Sequence, residues 1–328
     1  MNYAPILIPT LNRDSHLRQC IESLKNNPSA KYTDLYVSVD YPPSEKYMEG
    51  YKKVLEYLDK EITGFKNVFL YFQEYNLGPT NNALFLQKKV LEKYEQYIFT
   101  EDDNIFSPNF LEYMNQCLEK YKDDEMIFAI GGYSYPIHWS DDKDVIIKQS
   151  MNFPAWGYGT WKEKYDKEKE FSRTEIFEYL KNFHNAKLFY KNNRTLFNHA
   201  VYIASGKHYL ALLDNGELRH IDAVKGIYMF INRKYMILPA LSKVRNIGHD
   251  GSGQNCKESS KNEHTSDCYN FVEQEMDMSS EFIIEESKIL DVNQSHMKQL
   301  NSYLKVSHKM MIKVWIIWFL KIWLKRTI

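Results

Sequence analysis

Cysteine is scarce. The four present (Cys20, Cys117, Cys256 and Cys268) are too few and too scattered to staple a secreted scaffold. The start of the chain lacks the basic, apolar and small-residue regions of a secretory signal and runs straight into a strand-like stretch from Ala4 to Pro9, so a reducing cytoplasm is expected. Net charge is nearly absent too: 42 Lys and Arg offset 43 Asp and Glu. That balance argues against a protein built around nonspecific nucleic-acid binding. The usual phosphate-binding loops are missing: no G-x-G-x-x-G follows the first strand-like segment, and no G-x-x-x-x-G-K-[ST] occurs. Dinucleotide oxidoreductases and P-loop enzymes are thereby disfavoured. There is no internal repeat and no low-complexity tract.

What is there is the composition of an ordinary folded protein: 328 residues, 44% apolar, 15% aromatic and 26% charged. The first 132 residues alternate between two kinds of segment. Short β-rich runs fall at 5–9, 35–40, 67–73, 96–100 and 126–131, with stretches of helical period at 16–25, 45–60, 81–93 and 109–121 between them. Ser107-Pro108 predicts an N-cap and first helical residue, and Gly64 a break before the third strand. Such alternation predicts an α/β fold, a mostly parallel sheet covered by helices on both faces. Beyond Gly132 the pattern loosens. A helical stretch is expected from 174 to 192, an apolar region from 225 to 241, and a mobile polar loop from 245 to 266 holding Gly248, Gly251 and Gly253.

In open α/β sheets ligands bind beyond the carboxyl ends of the strands. Four successive strands end there in polar groups: Pro9-Thr10-Leu11-Asn12-Arg13, Asp40, Glu74-Tyr75-Asn76-Leu77-Gly78 and Glu101-Asp102-Asp103-Asn104. A lone acid at a strand end is usually a turn or cap. Three adjacent acids repel one another, and a hard divalent cation shared with a diphosphate gives the cluster a physical reason. The alternative is a solvated acidic turn that favours the next helix through its dipole.

The segments Pro5–Arg13, Val37-Ser-Val-Asp40, Asn76-Leu-Gly78 and Phe99-Thr-Glu-Asp-Asp103 resemble glycosyltransferases of the GT-A fold. They look most like the N-acetylglucosaminyltransferase I group and bacterial family 2-type enzymes, with Glu-Asp-Asp in place of Asp-x-Asp. Phe153-Pro-Ala-Trp-Gly-Tyr158, His220-Ile-Asp222 and the 243–253 loop continue the likeness in the same order. Two positions depart from the pattern: Ile221 replaces an aromatic residue, and Ala155-Trp156-Gly157 replaces Gly-Leu-Gly.

The resemblance implies a GT-A domain over 1–270, with 1–132 as its nucleotide half and 133–270 as the acceptor side and closing loop. It implies that Asp103 binds Mn2+ or Mg2+, with His249 as a further metal or diphosphate contact. Glu101 and Asp102 would shape the site and meet the ribose. Pro9, Thr10, Arg13, Asp40, Asn76 and Gly78 would line the base and ribose pocket, and Gly157 the donor-facing loop. Asp222 would be the general base of an inverting transfer from a nucleoside diphosphate-sugar, UDP by analogy, to a glycan or lipid-linked acceptor in surface polysaccharide synthesis. A sugar-nucleotide pyrophosphorylase would show a glycine- and arginine-rich loop after the first strand, which 9–13 is not. A catalytically silent scaffold is the alternative from another class. His249, Cys256, His264 and Cys268 match no standard closed zinc spacing.

Residues 271–328 form an expected helical extension. After Asp291 it has no acid, while Lys298, Lys305, Lys309, Lys313, Lys321, Lys325 and Arg326 are basic. Val314-Trp-Ile-Ile-Trp-Phe-Leu320 is too short for a bilayer span, which needs about 20 residues. The pattern suits a helix lying on an anionic membrane with Trp315, Trp318 and Trp323 seeking a partner, peripheral at the inner face of the cell membrane. Its alternative is a helix docked on the protein's own core or on a second subunit.

Overall fold

In the chain's first half, short apolar runs become strands, buried on both faces except at the sheet edge (67–72), and amphipathic runs become the helices that cover them. The computed structural model describes residues 3–208, 210–252, 275–303 and 306–327. Its strands are β1 (Ile6–Thr10), β2 (Asp34–Val39), β3 (Asn67–Phe72), β4 (Gln96–Phe99), β5 (Asn104–Phe106), β6 (Ile127–Gly131), β7 (Ile146–Gln149), β8 (Tyr158–Trp161), β9 (Tyr235–Pro239), β10 (Val244–Asn246) and β11 (Ile289–Asp291). The helices are α1 (Asp14–Lys25), α2 (Met48–Leu58), α3 (Gly78–Leu91), α4 (Phe110–Lys120), α5 (Lys162–Lys169), α6 (Arg173–Lys181), α7 (Phe183–Asn192), α8 (Arg194–Ala204), α9 (Asp222–Ile231), α10 (Gln294–Tyr303) and α11 (His308–Trp318).

Nine strands form one sheet in the order β11-β7-β9-β6-β8-β4-β1-β2-β3. β3, β2, β1 and β4 run parallel, as do β6 and β9. β8 is antiparallel to both β4 and β6, and β7 is antiparallel to β9. The α/β fold with a largely parallel, helix-flanked sheet is therefore as expected. Side chains alternate across it. Ile6 and Ile8 of β1 join the apolar layer beneath α1, α2 and α4, while Leu7 joins the opposite layer with α3 and the later helices. α4 shows the strength of that packing: Phe110, Leu111, Tyr113, Met114, Cys117 and Leu118 are all buried, each large apolar side chain contributing about 1.5–3 kcal/mol.

Three expectations need correction. α4 starts at Phe110, not after Ser107, because Asn109 is its N-cap and the Ser107 carbonyl accepts from Phe110 N–H (3.2 Å). The 174–192 stretch is two helices, broken where the Asn182 side chain turns back to accept from His184 and Asn185 N–H and so caps α7. Residues 245 and 246 of the expected loop lie in β10, which pairs with β5 in a separate two-stranded ladder. The loop's remainder after residue 252, with Gly253, Cys256, His264 and Cys268, lies outside the described residues. Beyond residue 270, β11 extends the central sheet by pairing with β7, and Phe282 is buried in the core.

The tail is also docked more fully than its sequence suggests. Met311, Val314, Ile317, Trp318 and Ile322 are buried, and the Trp318 indole N–H donates to the Leu180 carbonyl (2.9 Å). No helix among the described residues is long and apolar enough to cross a membrane.

Candidate active site

Parallel strands end at one edge, and the polar residues after β1 and β4 meet there. Thr10 Oγ1 donates to Asp102 (2.6 Å). Arg13, just before α1, bridges the acidic triplet: one guanidinium nitrogen donates to Asp102 and the other lies 2.9 Å from Asp103 Oδ2. Burial alone would lower the Arg13 pKa, but Asp102 and Asp103 outweigh it and hold the guanidinium charged. For Asp102, burial and the neighbouring Asp103 together raise the pKa against the opposing pull of Arg13 and Thr10.

Asp40 behaves differently. It is 3% exposed, and both its oxygens are engaged. Oδ1 accepts from Tyr41 and Leu77 N–H, and Oδ2 from Gly78 N–H and the Asn76 amide, over 2.8 to 3.1 Å. These bonds tie the end of β2 to the turn that opens α3, so Asp40 organises Asn76 and Gly78.

The closing loop reaches the triplet through the β5–β10 ladder. Asn246 donates to Asp103 Oδ1 (2.8 Å) and to Asn104 (3.0 Å), and Ile247 N–H donates to the Asp103 carbonyl (2.8 Å). Gly248 is required here: a Cβ on it would lie 2.1 Å from Asp103 Oδ2. His249 follows, its ring edge-on to Trp156 at 6.2 Å. Burial lowers its pKa against the opposing pull of Asp103 and Asp250, and Asp250 meets His16 of α1 at 3.2 Å. Gly157 has φ of 65° and is buried. Its absent side chain makes room for Val244 and Phe106, so it serves the packing of the loop onto β5. Trp161 is core, 7% exposed, its indole donating to the Leu118 carbonyl.

Asp222 opens α9 and comes close enough to the triplet to act on it electrostatically. Glu101 is pushed up to about 8 by burial, then by Asp103, Asp222 and Asp102, with Arg13 opposing. Glu101 and Asp222 are nonetheless both solvent-exposed by area. The two observations fit carboxylates facing an open cleft with protein around them, where solvent access tempers the burial effect. Asp222 is likewise raised, by burial first, with Lys225 opposing.

Behind Asp222 stands a buried group that pattern reading missed. Glu168 is 0% exposed and meets His220 Nδ1 at 2.7 Å. Lys225 Nζ donates to the His220 carbonyl. Burial pushes the Glu168 pKa up, but Lys225 and His220 prevail and hold it low. The pair thus pins the segment that presents Asp222. Glu168 sits in the charged run 162–170, which reads as a solvated helix face; only its contact with His220, just before α9, shows otherwise. Among the described residues, no three His, Cys, Asp or Glu side chains are grouped to hold an ion by themselves.

Residues 6–167, which carry β1 to β4, the acidic triplet and α5, match the family described as Glycosyl transferase family 2. They form a family 2 glycosyltransferase domain. No curated protein matches the chain significantly. Solved structures with some similarity include S. aureus TarS, 15% identical with a TM-score of 0.31, covering 42% of this chain and 24% of that one. TarS 1-349 in complex with UDP is 16% identical, with a TM-score of 0.31 and coverage of 42% and 39%. The mannosyltransferase PcManGT from Pyrobaculum calidifontis, in complex with GDP-Man and Mn2+, is 12% identical, with a TM-score of 0.36 and coverage of 50% and 46%. The chain therefore spans less than half the length of each of these structures. Within this chain, the family 2 domain supplies Thr10, Arg13, Asp40 and the triplet, while Asp222, Asn246, Gly248 and His249 come from the residues after it.

Proposed function

We propose that the protein is an inverting, metal-dependent glycosyltransferase that moves a hexosyl or N-acetylhexosaminyl group from a UDP-linked donor to a glycan or lipid-linked acceptor in surface polysaccharide synthesis. The observation that carries this reading is the meeting of Asp222 with the acidic triplet in a family 2 domain. Asp222 is the general base. Its raised pKa suits a group that must take the acceptor hydroxyl proton as that oxygen attacks the anomeric carbon. Its place in the first turn of α9 keeps the carboxylate form accessible through the helix dipole. Glu168, His220 and Lys225 hold it in position without touching substrate.

The triplet's chemistry fits a divalent cation. Its donors are hard carboxylate oxygens, and four carboxylates (Glu101, Asp102, Asp103 and Asp222) share the cleft with Arg13 and Lys225 as the cations acting on them. A Mn2+ or Mg2+ ion needs only one or two protein carboxylates when diphosphate oxygens and water complete its shell. Asp103 would hold it, with His249 as a further contact. When bound, such an ion neutralises the charge that develops on the departing diphosphate. Thr10, Arg13 and Asp102 line the nucleotide side with Pro9, and Asp40 keeps the Asn76–Gly78 turn in shape. Peripheral placement at the inner face of the cell membrane, near lipid-linked acceptors, belongs to the same proposal.

The test is donor consumption by the purified chain across a panel of nucleotide-sugars, with and without Mn2+, beside Asp103→Ala. Metal-dependent release of nucleoside diphosphate from one donor, lost in the variant, is the expected result. No release from any donor, with glycan acceptors and lipid present, would sink the reading.

A further inference from the structure

α11 has two apolar faces, and the protein uses one. The inner face is satisfied by the core. Trp315 adds to it by packing on the rings of Phe197 (4.9 Å) and Tyr190 (5.3 Å). The opposite face of α11 and of the π-helical turn that continues it (Phe319–Trp323) remains bare: Ile312 is 64% exposed, Ile316 53%, Phe319 44% and Leu320 51%. Ile312 and Ile316 are one helical turn apart, and the continuing turn sets Phe319 and Leu320 beside them in one stripe. With Tyr190 the stripe borders an open apolar recess of about 500 Å³, and Phe183 on neighbouring α7 is exposed as well (53%), its ring 5.9 Å from Trp318. Monomeric soluble proteins seldom leave such a continuous patch without a partner.

Charge identifies the partner. Lys309, Lys313, Lys321 and Lys325 are exposed, and none of them forms an ion pair among the described residues. Helical geometry sets Lys309 and Lys313 along one margin of the stripe. The sequence after Asp291 offers no carboxylate to neutralise them. A second copy of this chain would bring the same lysines against each other, a like-charge arrangement that opposes pairing. A bilayer with anionic headgroups satisfies both features, hydrocarbon for the stripe and phosphate for the lysines.

We infer that the outer face of α11 is a docking surface for an anionic membrane, with Ile312, Ile316, Phe319 and Leu320 entering the headgroup–acyl boundary and the lysines meeting the headgroups. The tryptophans serve the protein's own core instead. The inference gives a surface to the peripheral placement proposed above and does not depend on sugar transfer.

The experiment is co-sedimentation of the full chain with vesicles of phosphatidylcholine alone or containing roughly one-third phosphatidylglycerol, at two salt concentrations. Wild-type protein is expected to bind the anionic vesicles, more weakly at high salt, and to leave the neutral ones. The double variant Ile316→Glu/Phe319→Glu should lose at least about tenfold in partitioning. Lys309→Gln and Lys313→Gln should each lose about fivefold on anionic vesicles. The altered positions are exposed, and melting temperature together with donor turnover in vesicle-free solution reports whether the fold survives. Absence of wild-type binding, or undiminished binding by the double variant, overturns the inference. So does a dimer in sedimentation velocity that the double variant converts to monomer, which would make a second copy the occupant. Vesicle binding without donor turnover would instead defeat the transferase reading and leave this one standing.

Discussion

Two clusters of charge lie at the two ends of β10. In the first, Lys243 donates to Asp277 (2.6 Å) and to Asn109 (3.0 Å), and Asn109 donates to Asp277 (2.9 Å). The side chains of Lys243 and Asp277 are only 1% and 3% exposed. Burial would raise the Asp277 pKa, but hydrogen bonds from Asn109, Lys243 and Ser279 hold it well below the usual carboxylate range. In the second cluster Arg13 faces Asp102 and Asp103, and Glu101 and Asp222 add two further acidic groups beside solvent. One cluster closes on itself; the other carries a surplus that the protein does not cancel. A balanced buried cluster fixes a chain in place. An unbalanced one at a cleft is where a cation or a transferred proton has something to do.

The contrast can be broken from either side, and the largest effect is expected at the unbalanced cluster. Asp222→Asn should lower kcat by about 10²–10⁴ while leaving the melting temperature nearly unchanged, because the side chain is exposed. A fall in stability with turnover intact would make Asp222 structural. Lys243→Met should do the reverse. It strands Asp277 in the interior, and urea unfolding should show a loss of about 3–5 kcal/mol; a variant as stable as wild type would mean that the pair pins nothing.

Gly248→Ala tests the join between the clusters. Its Cβ cannot coexist with Asp103 where both now stand, so the loop must retreat at a cost of about 1–3 kcal/mol, with donor affinity weakened more than stability. Unaltered KM for donor would show that the loop's approach to Asp103 is incidental.

The smallest expected effect comes from a neutral pair, which sharpens the comparison. His199 Nδ1 and His208 Nε2 are 2.8 Å apart, so one ring must donate and the other accept. Burial, then His208, lowers His199 to about 4. The unfolded chain takes up that proton near pH 6.5 and the folded chain only near 4. The pair's stability is therefore complete above about 6.5 and lost as pH falls through that window, by about 1–2 kcal/mol once partial exposure is allowed for. Melting curves from pH 7 to 4.5 should show a shallower slope for His199→Gln; an identical slope would place the titration elsewhere.

Much of this was legible locally. The β2 run at 35–40 became Asp34–Val39, buried along its whole length, because a parallel strand covered on both faces is a short, largely apolar run. Thr10, Arg13 and the triplet could be read as one site because β1 and β4 are parallel neighbours and their ends must meet. The break at Asn182 was visible in principle, as Asn182 is a sound N-cap residue inside a helical period. Glu168 was not, since its neighbours in 162–170 are charged and periodicity there points to solvent. Nor was the docking of Trp318, whose partner carbonyl is 138 residues away.

By itself the sequence determined the order of strands and helices in the first half, the acidic end of β4 and the one-sided charge of the tail. Those properties are set by composition and period within a few residues, where sterics and apolar burial act locally. The tertiary structure alone decided which carboxylates are neutralised and which are not, because that depends on contacts such as β5 with β10 and Glu168 of α5 with His220. It also decided which face of α11 is left bare. Charge balance and exposure are set by neighbours in space, and those neighbours are far apart in the chain: 52 residues separate Glu168 from His220 and 143 separate Asp103 from Asn246.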